Sequence, residues 1–212
     1  MIIRLSPLRF FFHLIYHQLA WTYDLVAAVV SLGRWKGWVQ CALPYVKGRV
    51  LEIGYGPGHL QVSLHQHGFE AYGLDESRQM SRQAGRRLKR RGFHANLVRG
   101  LAGGLPFPSN SFETVAATFP SETIFAVQAL AECRRVLVPG GRLVIIPTAW
   151  ITGSGRLERL AAWLFQVTGE VGSIGAILPG MRKRLKSAGL EVRHELVETR
   201  GSRVLVLLAT KT

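Results

Sequence analysis

The sequence predicts an α/β fold built on a doubly wound, mostly parallel sheet. Three observations indicate this class. Short apolar stretches alternate with helical stretches over residues 49–146, a glycine-rich turn follows the first apolar stretch, and a glycine turn at residues 200–202 separates the last two. Alternation of this kind is typical of parallel βαβ units, whereas a tight glycine turn between two strands is typical of an antiparallel hairpin.

Most of the predicted elements are periodic or apolar runs that end at or shortly before a glycine or proline. Gly68 and Gly92 close the first two helices of the alternating region, and Pro139-Gly140-Gly141 precedes its last strand. Short apolar runs bounded in this way indicate strands. The predicted strands are residues 49–54, 71–75, 96–99, 112–119, 142–146, 190–198 and 204–209. The predicted helices are residues 59–66, 77–91, 123–136, 156–167 and 181–188.

The charge of the chain is strongly positive and unevenly distributed. There are 27 basic and 13 acidic residues among 212, which gives a formal net charge of +14. Residues 78–91 contain seven of the basic residues and no acidic one. Such an excess favours anionic partners, namely nucleic acid, an acidic membrane face or an acidic substrate, although a solvated helix face is the simplest interpretation.

Cysteine and histidine usage excludes several kinds of site. Cys41 and Cys133 are the two cysteines, and they form no C-x-x-C motif. This pattern excludes a zinc ribbon and a disulfide scaffold, and it favours a reducing, cytoplasmic location. His65 and His67 are two residues apart on a predicted helix, so their side chains point in different directions. We therefore predict no metal site.

The first part of the chain is predicted to be a helical cap. Residues 1–44 form this cap within the same domain, and residues 45–212 form the main α/β domain. The apolar stretch 10–30 follows Arg4 and Arg9 but is interrupted by His13, His17 and Asp24. These interruptions argue against a spanning helix and favour a packed lid, with reversible contact to an anionic membrane as a second option.

The glycine-rich turn has the pattern E-x-G-x-G-x-G, from Glu52 to Gly58. A strand, a glycine loop and a helix in succession place backbone amides and a helix N-terminus beside a ligand. His59 stands where the dinucleotide fingerprint requires its last glycine. Asp75 ends the second strand, seventeen residues after Gly58, where its carboxylate can accept hydrogen bonds from both hydroxyls of a ribose.

Further motifs follow at fixed intervals along the chain. They are Leu-Pro-Phe-Pro at 105–108, Ser-Phe-Glu-Thr-Val at 111–115, and the segment 132–141 that ends in Pro-Gly-Gly. Together with the glycine loop and Asp75, they resemble the class I S-adenosylmethionine-dependent methyltransferases, in particular the branch of ubiquinone and menaquinone methyltransferases. The resemblance covers residues 49–147. It implies a methyltransferase with a Rossmann-like sheet of seven strands in the order 3-2-1-4-5-7-6, with strand 7 antiparallel.

The resemblance also implies a set of contacts to the cofactor, S-adenosyl-L-methionine. The three glycines would let the backbone approach its methionine part, Glu52 would orient the loop and help to neutralise the amino group, Asp75 would hold the ribose, and Met80 would pack on the adenine. The full set of implied contacts is Glu52, Gly54, Tyr55, Gly56, Pro57, Gly58, Asp75, Glu76, Met80, Leu101, Ala102 and Thr118. Related chains commonly carry Gly-Asp-Ala after strand 3, whereas this one has Gly100-Leu101-Ala102.

The methyl acceptor is expected to bind above strands 4 and 5, beneath the cap. The candidate pocket residues are Tyr16, His17, Trp21, Tyr23, Asp24, Phe119 and Trp150. Their aromatic character suits a small or lipid-like apolar acceptor, while His17 and Asp24 are the candidate bases. No catalytic residue is assigned, and a nitrogen, oxygen or carbon acceptor fits equally.

Three alternatives to a lipid-like acceptor stay open. An RNA methyltransferase would use the basic helix, but strand 4 ends in Thr118-Phe119-Pro120-Ser121, not in the Asn/Asp-Pro-Pro-aromatic signature of base amino methylation. A non-catalytic protein that binds the cofactor would share the glycine loop. An aminopropyltransferase would share the fold, but the paired acidic residues of its polyamine site are not recognisable.

Overall fold

The computed structural model describes residues 31–153, 155 and 174–212. The predicted helix at 156–167 lies outside the described residues. So do most of the predicted cap and its pocket candidates Tyr16, His17, Trp21, Tyr23 and Asp24.

The described residues form a seven-stranded sheet in the order β3-β2-β1-β4-β5-β7-β6. Strands β1 to β5 pair in parallel, whereas β7 runs antiparallel to both β5 and β6. This order confirms the sheet that the resemblance implied. The strands are β1 Val50–Ile53, β2 Ala71–Asp75, β3 Leu97–Arg99, β4 Phe112–Thr118, β5 Leu137–Ile151, β6 Leu190–Thr199 and β7 Ser202–Lys211.

Helices cover both faces of this sheet. They are α1 Trp35–Gln40, α2 His59–Gln66, α3 Arg78–Lys89, α4 Val127–Val136 and α5 Ile174–Ser187. Turns of 3-10 helix lie at Leu43–Tyr45 and Glu122–Phe125. Helix α3 begins after Ser77, whose hydroxyl accepts a hydrogen bond from the Met80 amide. A side chain in this position satisfies one of the free amide groups of the first turn.

The largest differences between the predicted and the observed boundaries are at three places. Strand β5 continues through Pro139-Gly140-Gly141, because residues on either side of this turn pair with β4. The predicted helix 123–136 is a 3-10 turn followed by α4, since Ala126 between them is extended. Helix α5 includes Gly175, Pro179 and Gly180, residues that disfavour a helix interior. Leu178 and Met181 pack against the core and stabilise this segment as a helix.

Two apolar clusters hold the helices to the sheet. One contains Leu51 and Val115 from the strands together with Cys133 of α4 and Leu185 of α5. The other contains their strand neighbours Val50 and Ala116 together with Trp38, Leu60 and Leu64 from α1 and α2. All four residues of β1 are buried. Burial of successive residues is the expected consequence of helices on both faces of a parallel sheet.

The part of the predicted cap between residues 31 and 44 packs directly on this domain. Trp38, Val39 and Ala42 are buried in the cluster formed with α2. Within residues 31–153, 155 and 174–212, no helix has the length and apolar character that crossing a bilayer requires.

Candidate functional site

The carboxyl ends of β1, β2 and β3 meet at one edge of the sheet. The Gly54 amide donates to the Leu74 carbonyl at 2.7 Å, which fixes the glycine loop after β1 to β2. The Gly100 amide donates to the Asp75 carbonyl at 3.1 Å, which fixes the segment after β3 to the same strand. In open α/β sheets, ligands bind outside the carboxyl ends of the strands, so this edge is the candidate site.

The three loop glycines are required for two different reasons. All have positive φ angles, +72° for Gly54, +51° for Gly56 and +83° for Gly58. A Cβ atom built on Gly54 or Gly56 would meet no atom of the described residues within 4 Å, so none of these residues fills the space beside the two glycines. A Cβ atom on Gly58 would lie 2.8 Å from the Cβ of Ala84 in α3. Gly58 therefore permits close packing of the loop on α3, while Gly54 and Gly56 leave room for a ligand.

Asp75 joins the glycine loop to the start of α3. Its Oδ2 accepts a hydrogen bond from the Gly56 amide at 2.9 Å, and its Oδ1 accepts one from the Ser77 amide at 2.8 Å. The side chain is buried. A carboxylate oxygen can accept more than one hydrogen bond. Asp75 can therefore hold the loop and still accept hydrogen bonds from the hydroxyls of a ribose.

Glu52 is a buried carboxyl beneath the same loop. It is 1% exposed, and its Oε2 accepts a hydrogen bond from Nε2 of Gln61 in α2 at 2.9 Å. Burial raises the pKa of Glu52 to about 8, although the hydrogen bond from Gln61 favours the ionised form. The negative charge of Asp75 raises the pKa further. A cation bound close to Glu52 would favour ionisation.

We expect the stability of the protein to fall with rising pH because of Glu52. Between the ordinary pKa of a glutamate, 4.5, and the raised value of about 8, the folded state keeps a proton that the unfolded state has lost. By linkage, the free energy of unfolding decreases over this interval. Urea denaturation at several pH values should show this decrease in the wild type and a flatter profile in Glu52→Gln.

The control for this prediction is Glu76→Gln, which removes an exposed carboxylate next to the same strand. Its pH profile should match that of the wild type. Parallel profiles for the wild type and Glu52→Gln would contradict the assignment of a protonated Glu52.

Arg87 reaches the glycine loop from α3. Its Nη1 donates to the Pro57 carbonyl at 2.7 Å and lies 3.1 Å from Nε2 of His59, the first residue of α2. The sequence placed Arg87 within a run of basic residues with no sign of this role. Arg87 and Gln61 are thus site residues that the sequence analysis missed. For Gln61 a signal was present, because a polar glutamine between the apolar Leu60 and Val62 indicates a buried side chain with a specific partner.

The remaining predicted cofactor contacts fall into three groups by exposure. Tyr55 and Met80 are buried, and a Cβ atom on Gly73 would lie 2.6 Å from the Tyr55 ring. Met80, a residue of α3, is fully buried as well, and its packing on an adenine stays a prediction. Leu101 is 65% exposed, and Glu76 is exposed as well. Ala102 and Thr118 are half-buried near the same strand ends.

Phe119 lies in an aromatic cluster at the end of β4. Its ring centroid is 4.3 Å from that of Trp35 and 6.0 Å from that of Trp38, both in α1. The backbone of Phe119 has a φ of +48°, which is uncommon for a residue with a Cβ atom. Its amide donates to the Ile146 carbonyl at 2.7 Å and so ties the end of β4 to β5.

Trp150 lies on the other side of the sheet. It packs against the cluster of α4 and α5, whereas Phe119 packs against the cluster of α1 and α2. The two residues had been expected to line one pocket. Strict alternation along β4 would place Phe119 on the face of Val115 and Ala117, so its packing on the other face accompanies the positive φ at the end of the strand. The register of β5 against β7 also shifts just before Trp150, which the sequence pattern did not reveal.

Comparisons with known proteins agree with this architecture. A family model of the methyltransferase domain matches residues 51–145. A demethylmenaquinone methyltransferase of Thermus thermophilus is 33% identical over 138 residues, which are 62% of this chain and 63% of that protein. Another, of Anoxybacillus flavithermus, is 30% identical over 173 residues, which are 77% of this chain and 73% of that protein. The chain belongs to the class I S-adenosylmethionine-dependent methyltransferase family.

A solved structure also shares the fold of this methyltransferase domain. A protein from Methanococcus maripaludis, assigned as S-adenosyl-L-methionine-dependent methyltransferase, superposes with a TM-score of 0.67. The two chains are 15% identical over 91% of this chain and 92% of that one.

The described residues fit the cofactor of this methyltransferase family. The open space over Gly54 and Gly56 accommodates a ligand close to the backbone. Asp75 presents an acceptor at the adjacent strand end. Leu101 is an exposed apolar side chain on the segment after β3, where the adenine would lie. Leu101 stands where the resemblance leads one to expect an acidic residue, and its contact with an adenine stays a prediction.

Proposed function

We propose that the chain transfers a methyl group from S-adenosyl-L-methionine to a small, lipophilic acceptor of the quinone class. The observation that carries this proposal is the similarity to demethylmenaquinone methyltransferases, in a chain whose glycine loop and Asp75 form a site suited to the cofactor. The sulfonium of the bound cofactor supplies a reactive methyl group. The contribution of the protein is then mainly to align the acceptor with that group and to exclude water.

Apolar residues around the strand ends support a lipophilic acceptor. Trp35 and Phe119 form an aromatic wall beside the end of β4. Leu101 is 65% exposed and Val127 is 85% exposed, and both follow strands that end at this edge. A Cβ atom on Gly103 would lie 3.7 Å from Gln128, so the segments that carry the two residues are neighbours. Exposed apolar residues near the carboxyl ends of the strands are compatible with a ligand site at this edge of the sheet.

A hydroxylated ring must release one proton when it receives the methyl group. His17 and Asp24 remain the proposed candidates for the base that accepts it, as predicted from the sequence. A carbon or an oxygen acceptor on the ring is compatible with this step.

The test is transfer of a labelled methyl group to demethylmenaquinone and to quinone extracts, in parallel with tRNA, rRNA and DNA. We expect label in the organic phase alone. Phe119→Ala should lose most of this labelling while it keeps its affinity for the cofactor. Phe69→Ala, at the opposite end of the strands, is the matched control and should keep both. Label in RNA would overturn the proposal in favour of nucleic-acid methylation, and cofactor binding without transfer to any acceptor would favour a non-catalytic role.

A further inference from the structure

Helix α3 carries a row of cationic side chains along one face. Four residues of α3 and Arg90, which directly follows it, share wide exposure and a spacing of three or four positions. We call these five residues the basic face of α3: Arg78, Arg82, Arg86, Lys89 and Arg90. The opposite face of the helix is buried through Met80, Ala84 and Leu88. The helix is therefore amphipathic, with its charged side directed at solvent.

The side chains of the basic face make no ion pair and no hydrogen bond with any of the described residues. Their neighbours Arg87 and Arg91, by contrast, do make hydrogen bonds within the protein. Arg87 donates to the Pro57 carbonyl, and Arg91 donates to the Arg87 carbonyl at 3.2 Å. The basic run thus divides into residues that stabilise the fold and five that are available to an external anion.

The like charges of the basic face lower the stability of the helix that carries them. Arg78, Arg82, Arg86 and Arg90 form three successive pairs at a separation of four residues, and like charges at this separation repel each other. Arg78 also stands in the first turn, where the helix dipole is positive and where α3 has no acidic residue. Contact with an anionic surface would relieve both effects.

Helix α5 is also cationic, but its charges have a local explanation. Arg182, Lys183, Arg184 and Lys186 lie toward its C-terminal end, where the helix dipole favours positive charge. Only Arg182 and Lys186 among them are separated by four residues. This helix packs beside β6, whose sequence contains three glutamates. It serves as the natural comparison for α3.

We propose that the basic face of α3 docks the protein on a lipid surface that carries anionic headgroups. The proposal rests on the proposed function, because a lipophilic acceptor is found in such a surface. Arg78 lies three residues after Asp75, so the basic face begins at the edge of the sheet that holds the candidate site. Docking through it would bring this edge close to the headgroups.

The composition of the helix favours lipid over nucleic acid. Between the cations of α3 stand glutamine, serine, glycine and apolar residues, and none of them is aromatic. Proteins that recognise single-stranded nucleic acid usually stack bases on aromatic side chains between their cations. A row of cations without such residues matches a layer of anionic headgroups, where attraction depends on charge and declines with salt.

The experiment compares two variants with equal changes of charge. The first, called the α3 variant, combines Arg82→Glu, Arg86→Glu and Arg90→Glu on the basic face of α3. The second, the matched control, combines Lys183→Glu, Arg184→Glu and Lys186→Glu in α5. Each is sedimented with phosphatidylcholine vesicles that contain or lack phosphatidylserine, at low and at high salt. Affinity for S-adenosyl-L-methionine, measured by calorimetry, verifies that each variant is folded.

We expect the wild type to bind the phosphatidylserine vesicles at low salt and to dissociate at high salt. The α3 variant should bind at least about tenfold more weakly, since it loses three of five cations, while the α5 variant stays close to the wild type. Equal losses in both variants would overturn the proposal, because net charge alone would then explain the binding. Equal binding of the wild type to vesicles without phosphatidylserine would overturn it as well.

Nucleic acid is the remaining outcome. If the α3 variant binds vesicles normally but loses affinity for tRNA, the basic face is a nucleic-acid surface and the proposal is wrong. Vesicle binding requires neither cofactor nor methyl transfer. A failure to methylate quinones would therefore contradict the proposed function without affecting this result, and a failure to bind vesicles would leave the labelling result unaffected.

Discussion

Replacing Gly56 by valine is expected to abolish binding of S-adenosyl-L-methionine while the protein stays folded. The Cβ atom of residue 56 would project into space where no atom of residues 31–153, 155 and 174–212 lies within 4 Å, which is the space assigned to the ligand. A branched side chain there would exclude the methionine part of the cofactor. The φ of +51° also disfavours valine and should lower the free energy of unfolding by about 1–2 kcal/mol.

The strain and the loss of ligand space can be separated with a matched variant. Gly68 has a φ of +78°, and a Cβ atom built on it also meets nothing within 4 Å in the part of the chain that the structure describes. It lies beyond the far end of α2, whereas the glycine loop lies at the beginning of that helix. Gly68→Val should show a similar loss of thermal stability and normal binding in calorimetry. Normal binding by Gly56→Val would show that the loop does not contact the cofactor.

Replacing Asp75 by alanine should weaken binding of S-adenosyl-L-methionine by about 1.5–3 kcal/mol, because two hydrogen bonds to the ribose would be lost. Part of the lost affinity should come from a less ordered glycine loop. The Gly56 amide would lose its acceptor, and a buried amide without a partner is costly. Isothermal calorimetry measures the affinity, and denaturation with urea measures the change in stability.

Ser77→Ala is the control for this substitution. It removes the hydroxyl that caps α3 and should lower stability by about 1 kcal/mol, but it leaves the Asp75 carboxylate in place. Its affinity for the cofactor should therefore be normal. An Asp75→Ala protein that binds as tightly as the wild type would rule out a ribose contact at this position.

The sequence predicted the elements that have a strong local signal. Helix α2 at His59–Gln66 and strand β2 at Ala71–Asp75 have the predicted bounds. The closing hairpin forms around Arg200 and Gly201, with Thr199 paired to Ser202. Glycines, caps and apolar runs act over a few residues, so they can be recognised before the fold is known.

Helix α5 was predicted too short because packing overrides the low helix propensity of Gly175 and Pro179.

The sequence by itself determined the fold class, the glycine loop and the acidic residue at the end of β2, since each depends on neighbouring residues or on the order of strands. Only the tertiary structure showed that Gly58 faces Ala84 and that Arg87 bonds to the loop. It also placed Phe119 and Trp150 on opposite sides of the sheet. These relations join residues distant in the chain, and they arise from the way helices pack on a sheet. No local pattern of residues encodes them.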